Sequence, residues 1–156
     1  MRLLVILIGK LLLLATRLKG GAGSAFPGLV IERIYPGFIA AMAKRLSGGS
    51  IIVTGTNGKT TTTKMIRGIL EDNGHKLVSN RAGSNMSRGV ASALLEHASW
   101  LGKLDADIGL FEVDEAFTED VAKKLRPRTI VVLNLLRDQL DRYVSVSEPR
   151  VSSATV

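Results

Sequence analysis

Residues 51–62 read Ile51-Ile52-Val53-Thr54-Gly55-Thr56-Asn57-Gly58-Lys59-Thr60-Thr61-Thr62, and their reading decides the fold. The four β-branched residues at 51–54 make a short strand of the kind buried in a parallel sheet. Met65, Ile66, Ile69 and Leu70 recur at helical spacing, so a helix is expected over Thr62 to Asn73, with Asn73-Gly74 as its stop. A strand, a glycine loop with Lys-Thr and a helix together form the arrangement that cradles nucleotide phosphates. Gly55 and Gly58 allow backbone angles closed to other residues, so successive N–H groups can face one concavity. The candidate nucleotide-binding residues are therefore Gly55, Thr56, Asn57, Gly58, Lys59, Thr60 and Thr61. Lys59 brings a full charge for the outer phosphates, and the Thr60 hydroxyl is placed to ligate magnesium. The strict form G-x-x-x-x-G-K-[ST] fails, because its first glycine would stand at Val53. What remains is G-x-x-G-K-T, and the alternative is an ordinary strand-to-helix turn with a chance Lys-Thr.

Working outward toward the C-terminus, Lys76 to Ser79 reads as a short strand. The glycine-containing loop Asn80-Arg81-Ala82-Gly83-Ser84-Asn85 comes after it. Loops at strand C-termini line the ligand crevice of a parallel sheet, so this one is either a substrate contact or a plain connection. Met86, Val90, Leu94, Leu95, Ala98 and Leu101 form a helical stripe ending at Gly102. Ile108 to Val113 reads as a central strand that delivers Glu112, Asp114 and Glu115 to its C-terminal end. Glu112 is the candidate metal ligand with Thr60, and Asp114 and Glu115 are expected to cap a helix over 116–125. Thr129 to Leu133 is a further β-branched strand ending at Asn134. Residues 137–143 look helical, and from Val144 onward the chain is serine-rich without periodicity. Strands alternating with helices predict an α/β fold, a P-loop-like parallel sheet flanked by helices that looks incomplete. His75 and His97 read as solvated or structural rather than catalytic.

Toward the N-terminus, residues 3–15 are apolar except for Gly9 and Lys10. The run is short for a bilayer span and has Lys10 at its middle. A secretory signal conflicts with a nucleotide site downstream. The remaining options are a helix lying on a membrane, with Arg2, Lys10, Arg17 and Lys19 toward anionic head groups, or a helix packed on the domain. Gly20-Gly21-Ala22-Gly23-Ser24 reads as a linker. Pro27 and Pro36 punctuate the stretch after that linker, and Phe38 to Leu46 looks helical. The expected organisation is an N-terminal segment at 1–49, a nucleotide-binding unit at 50–143 and an irregular tail at 144–156.

Composition narrows the function classes. The chain of 156 residues lacks cysteine, which excludes a disulfide framework and a thiolate metal site. Its formal charge of +7 suits an anionic ligand or surface. No aromatic-interleaved basic patch or recognition helix accompanies that charge, so nucleic acid is not the expected partner.

Taken together, TGTNGKTTT at 54–62, FEVDEA at 111–116, RAGSNMSRG at 81–89 and VLNLLRDQLDRY at 132–143 resemble the Mur ligase family. The first motif is shared with folylpolyglutamate synthases, which also use G-x-x-G-K-T. The set is most similar to the MurT branch, the synthetase subunits of lipid II isoglutaminyl synthase. Gly9-Lys10, the glycines at 20–23 and Phe26-Pro27-Gly28 are similar too. The resemblance implies ATP and Mg2+ as cofactors, with Lys59 on the β/γ-phosphates and Thr60 and Glu112 on magnesium. Asn134 and Asp138 would lie near the nucleotide, where the family carries N-x-x-x-D-H; here Gln139 replaces the histidine. It further implies amidation of the D-glutamate α-carboxylate in the lipid II stem through an acyl phosphate. The ammonia would come from a GatD-like glutaminase subunit. A cytoplasmic location is implied as well, with the inner face of the cell membrane as a further option. In the family the chain continues past Tyr143, often with a four-cysteine zinc ribbon and then a C-terminal domain. The expectation is therefore a piece of such a ligase, with zinc only in the missing part, no catalytic residue of its own and no activity alone. The alternatives are another Mur-type amino-acid ligase, a folylpolyglutamate-synthase-like ligase, or a nucleotide-binding module without catalysis.

Overall fold

The computed structural model describes residues 2–18, 25–80 and 83–135. Its elements run α1 (Arg2–Leu18), α2 (Phe26–Ile34), α3 (Phe38–Ala43), β1 (Gly49–Thr54), α4 (Lys59–Asp72), β2 (Leu77–Val78), α5 (Ser87–His97), β3 (Ile108–Glu112), α6 (Glu115–Leu125) and β4 (Thr129–Val132). The four strands form one sheet in the order β2-β3-β1-β4, and every pairing is parallel. The β1–β3 register sets Val53 beside Glu112, and the β1–β4 register sets Thr54 beside Val132. Three strand C-termini therefore open on one edge of the sheet. β3 is buried at every residue, as a central strand covered on both faces must be.

The core joins the N-terminal helices to the sheet. Val5 and Ile6 of α1, Ile31 of α2, and Phe38, Ile39 and Met42 of α3 share one apolar cluster with Leu94, Leu95 and Phe111. Close approach depends on missing side chains. A Cβ on Gly28 would lie 2.0 Å from the Arg88 carbonyl oxygen, and one on Gly9 would lie 2.7 Å from a Leu95 methyl. Pro27 stands in the first turn of α2, where no intrahelical acceptor exists for the neighbouring N–H groups. The Gly28 N–H instead donates across the interface to Ser92 Oγ at 2.8 Å. Ser92→Ala would leave that buried donor without a partner, and it should lower stability by about 1–3 kcal/mol in chemical denaturation. An unchanged midpoint would mean that this contact contributes nothing.

α4 begins at Lys59 rather than at Thr62 and α3 ends at Ala43 rather than at Leu46, and three larger departures separate the structure from the sequence reading. Phe26–Ile34 is a helix, because Pro27 opens it rather than punctuating a loop. The stripe on α5 stops at His97, since Ala98 is extended (ψ 139°) and Leu101 lies 81% exposed in the following turn. Asp114 stands at the N-cap of α6, yet its side chain makes no capping bond. It turns toward Lys59 and Asn85 instead. The helix-like stretch 137–143 and the serine-rich tail lie outside the described residues, as does the glycine cluster at 20–23.

Candidate functional site

The loop after β1 turns into α4 at Gly58, which sits at the N-cap with φ +86°. That left-handed angle suits glycine and lets the helix begin at Lys59 without a residue spent on side-chain capping. The first N–H groups of α4 have no intrahelical acceptor by geometry, so this end presents donors and partial positive charge. Thr61 lies exposed in the same first turn.

Lys59 is held inside the site. Its Nζ donates to the Gly55 carbonyl at 2.5 Å and stands 3.3 Å from Asp114 Oδ1 and 3.7 Å from Glu115 Oε2. Its side chain is 13% exposed, so this cation is shielded from bulk water by two carboxylates from the neighbouring strand end. Burial pushes the Glu115 carboxyl upward, but the N–H of its own residue, the Thr56 side chain and the Lys59 charge outweigh it. The net pKa lies below the ordinary glutamate value, so Glu115 is ionised at neutral pH.

The Thr60 hydroxyl donates to Glu112 Oε2 at 2.9 Å. Glu112 is buried, at 5% exposure, and its backbone is fixed from the side. Asn80 accepts from the Glu112 N–H at 2.9 Å and donates to its carbonyl at 2.8 Å, while also holding the Ser84 carbonyl at 2.9 Å. The loop after β2 is thereby tied to the end of β3. Asn85 adds a second tie, donating to Asp114 Oδ1 at 3.3 Å and accepting at its carbonyl from the Asp114 N–H at 3.0 Å.

Asn134, just past β4, clamps the glycine loop. Its carbonyl accepts from the Thr56 N–H at 2.8 Å, and its side chain accepts from the Asn57 N–H at 2.9 Å and donates to the Asn57 carbonyl at 3.3 Å. A Cβ on Gly55, whose φ is +137°, would lie 2.9 Å from the Asn134 carbonyl oxygen. Gly55 is thus required both by its angle and by this contact. The N–H groups of Thr56 and Asn57 are engaged by Asn134, which leaves the α4 terminus as the open face of the loop.

The donor set fits magnesium carried by phosphates. A hydroxyl and a buried carboxylate meet at 2.9 Å, and among the described residues no group of three or more His, Cys, Asp or Glu is arranged so that it could hold a metal ion. A hard cation that keeps water and phosphate oxygens suits so small a protein ligand set better than a metal needing a full cage. Two further buried acceptors, Asn85 Oδ1 and Glu115 Oε1, have no hydrogen-bond partner beside this set. The structure therefore brings Gly55 to Thr61, Glu112 and Asn134 to one edge. Asp138 lies outside the described residues. The sequence reading places Asn80 only in the loop at 80–85 and does not anticipate its bonds to the backbone of Glu112; nor does it anticipate the pairing of Lys59 with Asp114 and Glu115, which read as carboxylates at a strand end and as caps.

Comparisons with known proteins agree with this layout. The family model described as Mur ligase middle domain matches residues 53–148. The lipid II isoglutaminyl synthase subunit MurT of Streptococcus pneumoniae is 35% identical over 123 residues, 79% of this chain and 27% of that protein. The MurT subunit of Staphylococcus aureus (strain COL) is 31% identical over 136 residues, 87% of this chain and 30% of that protein. The UDP-N-acetylmuramoylalanine–D-glutamate ligase of Mycobacterium leprae is 35% identical over 107 residues, 68% of this chain and 20% of that protein. The chain thus spans less than a third of the length of these curated relatives. Among solved structures, the UDP-N-acetylmuramoylalanyl-D-glutamyl-2,6-diaminopimelate–D-alanyl-D-alanyl ligase of Acinetobacter baumannii superposes with a TM-score of 0.52 at 24% identity. That match covers 62% of this chain and 21% of the other, and it supports the fold alone. With its family model covering more than half of the sequence and its glycine loop at the strand-to-helix junction of that match, the chain belongs to the Mur ligase family.

Proposed function

We propose that this chain supplies the nucleotide-binding part of an ATP-dependent, amide-forming ligase that amidates the D-glutamate α-carboxylate of the lipid II stem. The observation that carries the reading is the convergence of Lys59 and the Thr60–Glu112 pair at the C-terminal edge of a parallel sheet. Similarity to two MurT subunits supports the choice of substrate. Lys59 would neutralise the β/γ-phosphates, and Thr60 and Glu112 would hold magnesium, which would draw charge from the same oxygens. Asn134 keeps the loop in shape, and Asn80 fixes Glu112. Chemically, a carboxylate oxygen attacks the γ-phosphorus and ADP departs with the bridging oxygen. Ammonia nitrogen then attacks the acyl carbon, inorganic phosphate leaves, and a proton is released from nitrogen. A glutaminase subunit would deliver the ammonia.

The match to a D-glutamate ligase favours a second reading, in which an amino acid replaces ammonia as the nucleophile. Ammonia-dependent phosphate release coupled to mass analysis of the stem peptide separates the two. The ligase assayed with its glutaminase partner and lipid II should lower the stem mass by about 1 Da, as hydroxyl-to-amine exchange requires. A gain of one amino-acid residue would establish the second reading, and no ATP-dependent mass change would overturn both.

A further inference from the structure

α1 has two apolar faces, and the fold uses one. Val5, Ile6 and Gly9 turn inward onto α2 and α5. On the outward face Leu4, Leu7, Leu11, Leu14 and Leu18 are between 44% and 80% exposed. At 100° per residue these five fall within an arc of about 80°, and Leu3 and Ala15 widen it to about 120° without any polar residue. An arc this wide exceeds the seam of a two-stranded coiled coil and matches a helix lying in a bilayer interface. Among the described residues, no helix is long and apolar enough to cross a membrane.

One border of the arc is built for an interface between oil and water. Lys10 and Arg17 lie along it with Leu13, Leu14, Glu96 and Trp100, around a cleft of about 200 Å³. Lys10 Nζ donates to the Glu96 carbonyl at 3.0 Å, and Arg17 pairs with the Glu96 carboxylate. Burial and then the Arg17 charge hold the Lys10 ammonium below its ordinary pKa, with Glu96 partly opposing. The Glu96 carboxylate already answers Arg17 there, so a lipid phosphate would compete with it for the two cations. Trp100 is 54% exposed beside them, and indole and long basic side chains are the groups that anchor at head-group depth.

Charge also selects the occupant. The first 31 residues contain Arg2, Lys10, Arg17 and Lys19 and no acidic residue. Pairing α1 with a second copy would set two wholly basic helices together, which repels. An anionic phospholipid surface answers both the leucine arc and the charge. We propose that the outer face of α1 is an interfacial membrane-docking surface, with leucines in the acyl boundary and lipid phosphate between Lys10 and Arg17. This surface stands apart from the nucleotide site and does not depend on the ligase reading.

Trp100 is the single tryptophan of the chain, so its emission reports directly. Vesicles of phosphatidylglycerol and phosphatidylcholine should blue-shift it and sediment the protein, while pure phosphatidylcholine should do so far more weakly. Leu11→Asp with Leu14→Asp, both at exposed positions, should reduce partition by about tenfold or more. Arg17→Gln, which leaves the apolar arc intact, should reduce it by about fivefold on anionic vesicles. Unchanged emission with anionic vesicles, equal partition onto both vesicle types, or no effect of the leucine changes would overturn the proposal. A blue shift that grows with protein concentration in the absence of lipid would also overturn it, in favour of self-association.

Discussion

Lys59→Ala is expected to slow ATP turnover by the ligase about 30- to 1,000-fold, the equivalent of about 2–4 kcal/mol of transition-state stabilisation. Lys59 is the one residue of the loop that brings a full charge to the open end of α4, and its Nζ is already pre-positioned by the Gly55 carbonyl and two carboxylates. Lys59 and Glu115 are only 13% and 18% exposed, so losing the cation leaves two neighbouring carboxylates without their counter-charge and should also lower stability. Thermal denaturation should show a variant that is destabilised but still folded at the assay temperature, while turnover collapses. A variant that turns over ATP at the parent rate would contradict the phosphate-loop reading, and a variant that unfolds would show Lys59 to be structural.

Glu112→Gln should raise the magnesium concentration needed for half-maximal turnover by about 10- to 100-fold. The substitution keeps size and leaves an acceptor for the Thr60 hydroxyl, so the 2.9 Å contact can persist. The Asn80 bonds run to the backbone of residue 112 and are untouched. Only the charge that would face the cation is removed. A magnesium titration of phosphate release is the check, and an unchanged half-point would remove Glu112 from the metal site.

Much of this was legible in the sequence because local rules suffice for it. β1, α4 and β3 carry their own periodicities, and Gly55 and Gly58 mark the loop by what glycine alone can adopt. The parallel sheet could be read from the alternation of strands and helices. What escaped was long-range. Nothing near Asn134 says that its side chain will bond a loop 77 residues earlier, and nothing near Asn80 announces a partner 32 residues away. Asp114 has the residue type and place of a helix cap, yet the Lys59 charge competes for its carboxylate and takes it. For α1 the obstacle was different. A run apolar all round does not reveal which face the core will take, and only the packing of Gly9 against Leu95 and Ile31 decides it.

The most direct measurement of the central claim is hydrogen–deuterium exchange of the ligase with and without magnesium ATP. Protection is predicted in peptides covering 55–62, where the α4 terminus would take the phosphates, and in those covering 108–115, which carry Glu112. The loss of magnesium should reduce both, and peptides of α1 should exchange as before. Protection that leaves 55–62 unchanged while appearing elsewhere in the chain would contradict the account.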